Sequence, residues 1–257
     1  MEIGMIFDTH AHYDDEAFDE DREALLNGMK EGGVGRIVNI GANMETSRRT
    51  VELTGQYDFM YGAVGVHPSD TGDMTQDDIE TLRRWSGEPK ILAIGEIGLD
   101  YHYPEPSRET QKNWFIRQLM LAREENLPVV IHSRDAAADT LEILKEYGRG
   151  LGGVIHCFSY TKEMAAEYVK LGYYIGIGGV VTFKNARKLA EAVEVIPLER
   201  LVLETDCPYL SPEPYRGTRN SSLNLTYVAQ TLAQLKGVSY DEIIKQTEQN
   251  AQEMYRI

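Results

Sequence analysis

The feature that most constrains the fold of this chain is an alternation that continues along its length. Eight short runs rich in Val and Ile, all but one ending in glycine or a polar residue, are separated by longer stretches with helical periodicity. The runs span residues 5–10, 36–41, 60–67, 91–98, 128–133, 152–158, 173–179 and 200–206. They are almost continuously apolar, which is typical of parallel strands buried on both faces.

The stretches between the runs carry signals for the start of a helix. Thr75 with Asp78 forms a capping-box pattern, and Ser239 with Glu242 gives a similar start after the last strand. Eight strand–helix units in 257 residues predict an α/β protein, a single (β/α)8 TIM barrel that forms one domain over residues 1–257. A doubly wound sheet is disfavoured because the first strand is followed by His-Ala-His-Tyr-Asp and not by a Gly-rich phosphate turn.

Composition and charge exclude several classes of protein. The chain is 42% hydrophobic and 26% charged, as in globular proteins, and has no apolar run long enough to span a membrane and no signal-peptide pattern. Cys157 and Cys207 fit a reducing compartment, so we expect a cytoplasmic protein. Each follows an inward-facing residue on its strand, and we expect both to be packing residues. The net charge of −15 argues against an extended surface for duplex DNA.

All six histidines lie at or just after the carboxyl end of a predicted strand. In strand order they are His10 and His12, His67, His102, His132 and His156. In a barrel these ends meet at the face that carries the active site. The first two are separated by one residue, so they face the same side of the strand and could bind one ion together.

The same strand ends carry carboxylates. Glu96 ends the fourth predicted strand, with Asp100 four residues further on, and Glu204 and Asp206 end the eighth. Imidazole and carboxylate together suit Zn, Mn, Fe or Co, and oxygen-rich positions also accept Mg. Such a cluster of buried polar groups would be costly without a ligand. The sequence therefore predicts a metal site formed by His10, His12, Glu96, His132, His156 and Asp206.

Further basic side chains are candidates for binding substrate at the rim of the barrel. The candidates are His67, His102, Arg134, Arg216 and Arg219. Arg134 follows His132 by two residues, and a guanidinium can hold two phosphate oxygens at once. For the arginines the alternative is a solvent-facing loop charge. For the two histidines the alternatives are a hydrogen bond to a metal ligand or a plain loop position.

Taken together, these motifs resemble the TatD family of metal-dependent deoxyribonucleases, within the amidohydrolase-like superfamily. The resemblance is carried by FDTHAHYD, VGVHPSD, IGEIGLDYH, GVIHCFS, YIGIGG and LVLETDCPYLSPEPYRGTRN, which lie within residues 7–220. Many dinuclear members of the superfamily have a carboxylated lysine on strand 4, whereas this chain has Glu96, as in the TatD type. Two departures touch the substrate rim: Thr218 replaces a usual lysine, and Tyr101-His102 replaces a commoner Tyr-Tyr.

The resemblance implies a centre with two divalent ions, Mg or Mn in use, with Zn, Fe, Co or Ni possible in purified protein. The inner ion would be held by His10, His12 and Asp206, the outer one by His132 and His156, and Glu96 would be shared. Asp206 and Glu96 would be the catalytic groups, with Asp206 orienting the nucleophilic water and taking its proton. Asp100 and Glu204 would support the ligands from behind, and the alternative for Glu204 is barrel packing.

The function expected from this resemblance is a 3′–5′ exonuclease that hydrolyses phosphodiester bonds at DNA or RNA ends. We expect a monomer that meets nucleic-acid ends, without a membrane or an extended duplex surface. Two alternatives stay open on the sequence. The same centre could serve an ester or amide hydrolase such as a D-aminoacyl-tRNA deacylase, or the chain could be a catalytically idle metal-binding scaffold.

Overall fold

Strands and helices alternate along the computed structural model, which describes residues 4–257. The strands are β1 (Ile6–Ala11), β2 (Val34–Ile40), β3 (Met60–Val64), β4 (Ile91–Asp100), β5 (Val129–Arg134), β6 (Gly153–Ile155), β7 (Tyr174–Ile177) and β8 (Leu201–Leu203). The α-helices are α1 (Arg22–Asn27), α2 (Met44–Gln56), α3 (Gln76–Ser86), α4 (Arg108–Glu124), α5 (Ala137–Tyr147), α6 (Lys162–Lys170), α7 (Arg187–Val195), α8 (Leu225–Lys236) and α9 (Tyr240–Tyr255). Within residues 4–257, none of these helices is long and apolar enough to cross a membrane.

The eight strands are parallel and follow one another in chain order around a barrel. Backbone hydrogen bonds close the barrel between its last and first strands. The amide of Asp206 donates to the carbonyl of His10 at 2.9 Å, and the amide of His12 donates to the carbonyl of Cys207 at 2.9 Å. The predicted TIM barrel is confirmed, and its closure brings residues from the two ends of the chain side by side.

The helices begin and pack as the sequence predicts. Thr75 and Asp78 form a capping box at the start of α3, and the Ser239 hydroxyl accepts a hydrogen bond from the Glu242 amide at the start of α9. On α4 the buried face includes Phe115, Leu119 and Ala122, at the spacing of an amphipathic helix.

Several strands are shorter than predicted, and the difference falls on the site. β8 ends at Leu203 and β6 at Ile155, so Glu204, Asp206 and His156 lie in the loops that follow and not on strands. Asp206 has a φ of 57° and Cys157 a φ of 45°. Such left-handed residues cannot continue a strand. They turn the chain sharply over the mouth of the barrel, and that turn determines where the adjoining side chains point.

One glycine lets two site-bearing strands lie close together. Gly98 on β4 pairs with His132 on β5, and its φ is 147°. A Cβ atom at Gly98 would lie 1.9 Å from the carbonyl oxygen of His132. Only glycine fits both the backbone conformation and the space. The same pairing sets Asp100 beside Arg134 at the carboxyl end of these strands.

Candidate metal centre

Three side chains at and just after the ends of β1 and β8 converge on one point; we call His10, His12 and Asp206 the inner cluster. The Nε2 atoms of the two histidines are 3.1 Å apart, and Asp206 Oδ1 lies 3.3 Å from His12 Nε2 and 3.7 Å from His10 Nε2. Ligands bound about 2.0–2.2 Å from one metal ion lie roughly 3.0–3.6 Å from each other. The inner cluster therefore fits a single divalent cation.

The orientation of the His12 ring suits this role. Its Nδ1 donates a hydrogen bond to the carbonyl oxygen of Ile40 at 2.9 Å, and a carbonyl can only accept. The proton must therefore be on Nδ1, which leaves the lone pair of Nε2 facing the cluster. This is the arrangement in which histidine binds metals, with its second nitrogen held by a protein acceptor.

Glu96 lies at the centre of the site, at the point where the other ligand candidates meet. Its side chain is 5% exposed, and Oε2 lies 3.5 Å from Nε2 of His10. Oε1 lies 2.9 Å from Nδ1 of His132 and 3.7 Å from Nε2 of His156. A carboxylate with its two oxygens facing different histidines has the geometry needed to be shared between two cations.

Glu204 contacts a ligand candidate from behind. Its Oε2 lies 3.2 Å from Nδ1 of His156, and its Oε1 accepts a hydrogen bond of 2.6 Å from the amide of Cys157. The side chain is 1% exposed. The sequence left two roles open for Glu204, orienting a ligand histidine or packing inside the barrel. These contacts favour the first.

A second group comes from the loop after β3 and the carboxyl ends of β4 and β5; we call His67, Asp100 and His132 the outer cluster. One ligand atom from each of the three lies within 4.8 Å of the others. His132 Nε2 is 3.1 Å from Asp100 Oδ2, and Asp100 Oδ1 accepts a hydrogen bond from the amide of His102 at 2.9 Å. His67 was predicted as a substrate contact, and the structure places its ring beside that of His132, a metal-ligand candidate.

The ionisation of the site favours a cation. Burial raises the pKa of Glu96, but the charges and hydrogen bonds of its histidine neighbours, His156 first, hold that pKa well below its ordinary value. Burial also raises the pKa of Asp206, but its hydrogen bond with His12 holds that pKa below the ordinary value. Burial lowers the pKa of His12, yet Asp206 raises it to about 9. The carboxylates of Glu96 and Asp206 are thus ionised, and His12, whose pKa is raised, carries a proton that a bound cation would displace.

The expectation for Cys157 was wrong. Because its φ is positive and β6 has already ended, the alternation of side chains no longer applies, and its Sγ lies within 4.8 Å of ligand atoms of His156 and Asp206. Burial raises the pKa of the thiol well above its ordinary value, so the thiol stays protonated. Cys207, in contrast, is fully buried as expected.

The rim residues divide into two kinds. Arg134 is exposed, with its guanidinium 5.8 Å from the ring centre of Tyr103, and Arg216 lies 4.2 Å from the ring centre of Phe183. The side chain of His102 is 46% exposed, and its Nδ1 lies 3.5 Å from Asp135 Oδ2. These three basic groups remain accessible at the mouth of the barrel.

Arg219 has a different environment from the one predicted. Its guanidinium makes two hydrogen bonds with Asp21, at 2.7 and 2.6 Å, and one with the carbonyl of Ala17 at 2.7 Å. The guanidinium nitrogens that would bind a phosphate are therefore already hydrogen-bonded within the protein. This geometry favours a structural role for Arg219 over the predicted phosphate contact. Asn220 is likewise buried and donates to the carbonyls of Thr205 and Tyr209.

The sequence analysis missed Asp8, a buried acid on β1. Its carboxylate accepts hydrogen bonds from the amide and hydroxyl of Thr205, at 3.0 and 2.7 Å, and from the hydroxyl of Ser222 at 2.7 Å. Burial raises its pKa to about 6. Asp8 fixes the loop that carries Asp206 against the first strand. The available signal was an acid inside an otherwise apolar run.

Comparison with known proteins places this site in a family. The model of the family described as TatD related DNase matches residues 7–256. The chain belongs to this family. It is 45% identical over 254 residues to the uncharacterized metal-dependent hydrolase YabD of Bacillus subtilis (strain 168), which covers 98% of this chain and 100% of that protein. It is 32% identical over 259 residues to the 3′-5′ ssDNA/RNA exonuclease TatD of Pantoea vagans (strain C9-1), covering 98% of this chain and 100% of that one.

Solved structures of the TatD family share the whole fold. The chain superposes on YJJV, a TatD homologue from Escherichia coli K12, with a TM-score of 0.93 and 32% identity over 100% of both chains. A TatD family hydrolase from Entamoeba histolytica gives a TM-score of 0.89 at 25% identity, over 99% of both chains. Membership of the family and the candidate metal clusters make this chain a metal-dependent hydrolase.

Proposed function

We propose that this protein removes nucleotides from the 3′ ends of single-stranded nucleic acids, using two divalent cations. The observation that carries the proposal is the convergence of imidazole and carboxylate groups from distant strands around Glu96. The groups are His10, His12, Glu96, His132, His156 and Asp206. Their donor set suits Mg, Mn or Zn.

The inner cluster fits one such cation, and we place the second beside the two histidines that face Oε1 of Glu96. The inner cluster would hold one ion, and His132 with His156 would hold the other, with Glu96 between them. When bound, the ions would supply a water of lowered pKa and positive charge opposite the phosphodiester oxygens. The loop after β6 carries His156, and Glu204, whose Oε2 lies 3.2 Å from Nδ1 of that ring, would orient it by its charge.

Asp206 is the group proposed to handle the proton. Glu96 and Asp206 are the two carboxylates nearest His10 and His12. The side chain of Asp206 is the more exposed, at 20% against 5% for Glu96. Because its pKa is held below the ordinary value, it is an ionised acceptor at neutral pH. An ionised carboxylate at the edge of the site can orient a water molecule and accept its proton.

The choice of a nucleic-acid end rests on the rim and on one relative. Arg134 and Arg216 are placed singly at the mouth, and the net charge of −15 favours local recognition of a phosphate over a long basic groove. The Pantoea vagans relative is named an exonuclease for single-stranded DNA and RNA.

We also place the protein in the cytoplasm, since Cys157 and Cys207 are free thiols.

The proposal is tested with protein stripped of metal and reconstituted with Mg, Mn or Zn separately. We expect single-stranded DNA or RNA labelled at its 5′ end to shorten stepwise from the 3′ end with Mg or Mn. Chelation should stop the reaction, and a block of phosphorothioate linkages at the 3′ end should delay it. If oligonucleotides stay intact with every metal while misacylated tRNA or a cyclic amide is hydrolysed, the proposed substrate is wrong.

A further inference from the structure

The exposed aromatic side chains of the chain are concentrated at the mouth of the barrel. In residues 4–257 the exposed Tyr, Phe and Trp side chains are Tyr103, Tyr209 and Tyr215. All three lie in the loops that follow β4 and β8. Exposed aromatic rings that cluster beside a site mark a binding surface, whereas single exposed apolar residues spread over a surface do not.

Two of these rings lie on opposite sides of the metal centre. Tyr103 and Tyr209 are each 55% exposed. Their loops follow β4 and β8, which are four strands apart in a closed barrel of eight and therefore face each other across the mouth. Glu96 lies on β4 and Asp206 follows β8, so the candidate metal centre lies between the loops that carry the two rings.

Each ring is held in a defined surrounding. The guanidinium of Arg134 lies 5.8 Å from the ring centre of Tyr103, and the ring of His102 packs edge-on against it with a centre distance of 4.8 Å. The hydroxyl of Tyr209 donates to Asp15 at 3.0 Å, and its amide donates to the carbonyl of Asp206 at 2.9 Å. Tyr209 is thereby tied to the loop of the proposed catalytic carboxylate, and ordering its ring on binding costs little entropy.

We propose that Tyr103 and Tyr209 are stacking surfaces for the two bases that flank the scissile phosphodiester of a single strand. This inference rests on the proposed function. A phosphodiester held at the centre has one nucleoside on each side. Tyr103 is the exposed ring after β4, and of the two exposed rings after β8 we choose Tyr209, because its amide is hydrogen-bonded to the carbonyl of Asp206. Stacking on tyrosine accepts any base, which suits an enzyme that degrades ends without regard to sequence. Paired bases are already stacked on their neighbours, so a duplex end would have to fray before it could use these rings.

The experiment measures binding and hydrolysis separately. Binding is followed by fluorescence anisotropy in Mn²⁺ with a labelled 10-nucleotide single strand whose last linkages are phosphorothioate. Y103A and Y209A should each weaken binding by roughly 5- to 150-fold, the range of one lost base stack. Y103F and Y209F, which retain the ring, should bind within about threefold of the wild type. V195A truncates an exposed side chain at the end of α7, on the opposite face of the barrel, and should bind as the wild type does.

Strands that lack one base identify which ring meets which base. An abasic residue at the terminal or at the penultimate position should weaken binding to the wild type. When the missing base is the one that stacks on Tyr103, Y103A should weaken binding little further, because that stacking contact is already absent. Y209A should behave in the same way when the other base is missing. Hydrolysis of the unmodified strand should show KM raised by a similar factor, with kcat changed much less.

The outcomes separate this inference from the proposed function. If the wild type degrades the strand and both alanine variants bind within twofold of it, the stacking role is wrong and the exonuclease proposal stands. If the wild type binds but does not hydrolyse, while the alanine variants lose binding, the rings bind nucleic acid and the proposed activity is wrong. If the wild type neither binds nor hydrolyses single strands, both are overturned.

Discussion

The inner and outer clusters of the metal centre are held by different kinds of structure. The inner cluster is fixed by backbone pairing, because its residues belong to the strand ends that close the barrel, and His10 is fully buried. The outer cluster is assembled from the loop after β3 and the ends of β4 and β5, and it is held by side-chain contacts such as His132 to Asp100 at 3.1 Å. Its two histidines are 17% and 16% exposed, close to the 13% of His12 and 20% of Asp206, so the clusters differ in the kind of contact that holds them and not in burial.

This difference suggests a division of work between the two clusters. A site fixed by the main chain keeps its ligand spacing before any ion arrives, so it can bind a cation without rearrangement. A site formed by side chains at the open mouth can adjust when a charged substrate enters. We therefore expect changes in the inner cluster to have larger effects on metal binding and turnover than changes in the outer one.

The largest effect is expected for D206N. The substitution retains an oxygen near His12 but removes the charge that orients water and accepts its proton, so kcat on a single-stranded oligonucleotide should fall by about 10³-fold or more. Steady-state rates in Mn²⁺ measure this, with thermal unfolding as a check of folding. D135N changes an exposed carboxylate at the rim and serves as the matched control. A loss of less than tenfold in D206N would remove Asp206 from the proposed mechanism.

The comparison of the clusters is tested directly with H12A and H67A. H12A removes a nitrogen from the inner cluster, and we expect Mn²⁺ affinity at one site to fall by more than about 100-fold, beyond the range typical of supporting residues. H67A should reduce affinity by about tenfold or less, because His67 lies 3.9 Å from Glu96 Oε1 at the edge of the site. Isothermal titration of metal-free protein measures both. Equal losses in the two variants would mean that the distinction between the clusters has no energetic basis.

An intermediate effect is expected for E204Q. Glutamine retains an oxygen for the amide of Cys157 but removes the charge beside Nδ1 of His156, whose pKa Glu204 helps to raise to about 10 against the effect of burial. Metal affinity or turnover should fall by about 10- to 100-fold, the usual cost of losing a group that orients a ligand. The exposed Glu163 gives a control in E163Q. If E204Q binds metal as the wild type does, Glu204 is only a packing residue.

The sequence predicted the barrel and the gathering of the ligand candidates for one physical reason. Parallel strands closed in chain order bring their carboxyl ends to one face, so residues as distant as His10 and Asp206 come within 3.7 Å of each other. That argument needs only the positions of polar residues at strand ends. It is insensitive to errors of a few residues in strand length, and so it survived the shorter β6 and β8.

What the sequence could not predict depends on how the loops fold. The direction of Cys157 follows from a positive φ, for which a non-glycine residue gives no clear signal. Arg219 is paired with Asp21, which is 198 positions away in the chain, and no local pattern indicates this contact. Rim residues were therefore the part of the site where the predictions needed correction, because side-chain partners in loops are set by tertiary structure.

The smallest effects distinguish the two arginines at the rim. R134A should raise KM for an oligonucleotide by about 5- to 20-fold with little change in kcat, because an exposed guanidinium beside the mouth would contribute mainly to binding of a phosphate. R219A should leave KM within about twofold, because its guanidinium is already bound to Asp21. Its consequence should be a decrease of at most about 4 °C in Tm, as expected for an ion pair near the surface. If R219A raised KM as much as R134A, the pair with Asp21 would have to open when substrate binds, and the loop after β8 would belong to the phosphate site as the sequence first suggested.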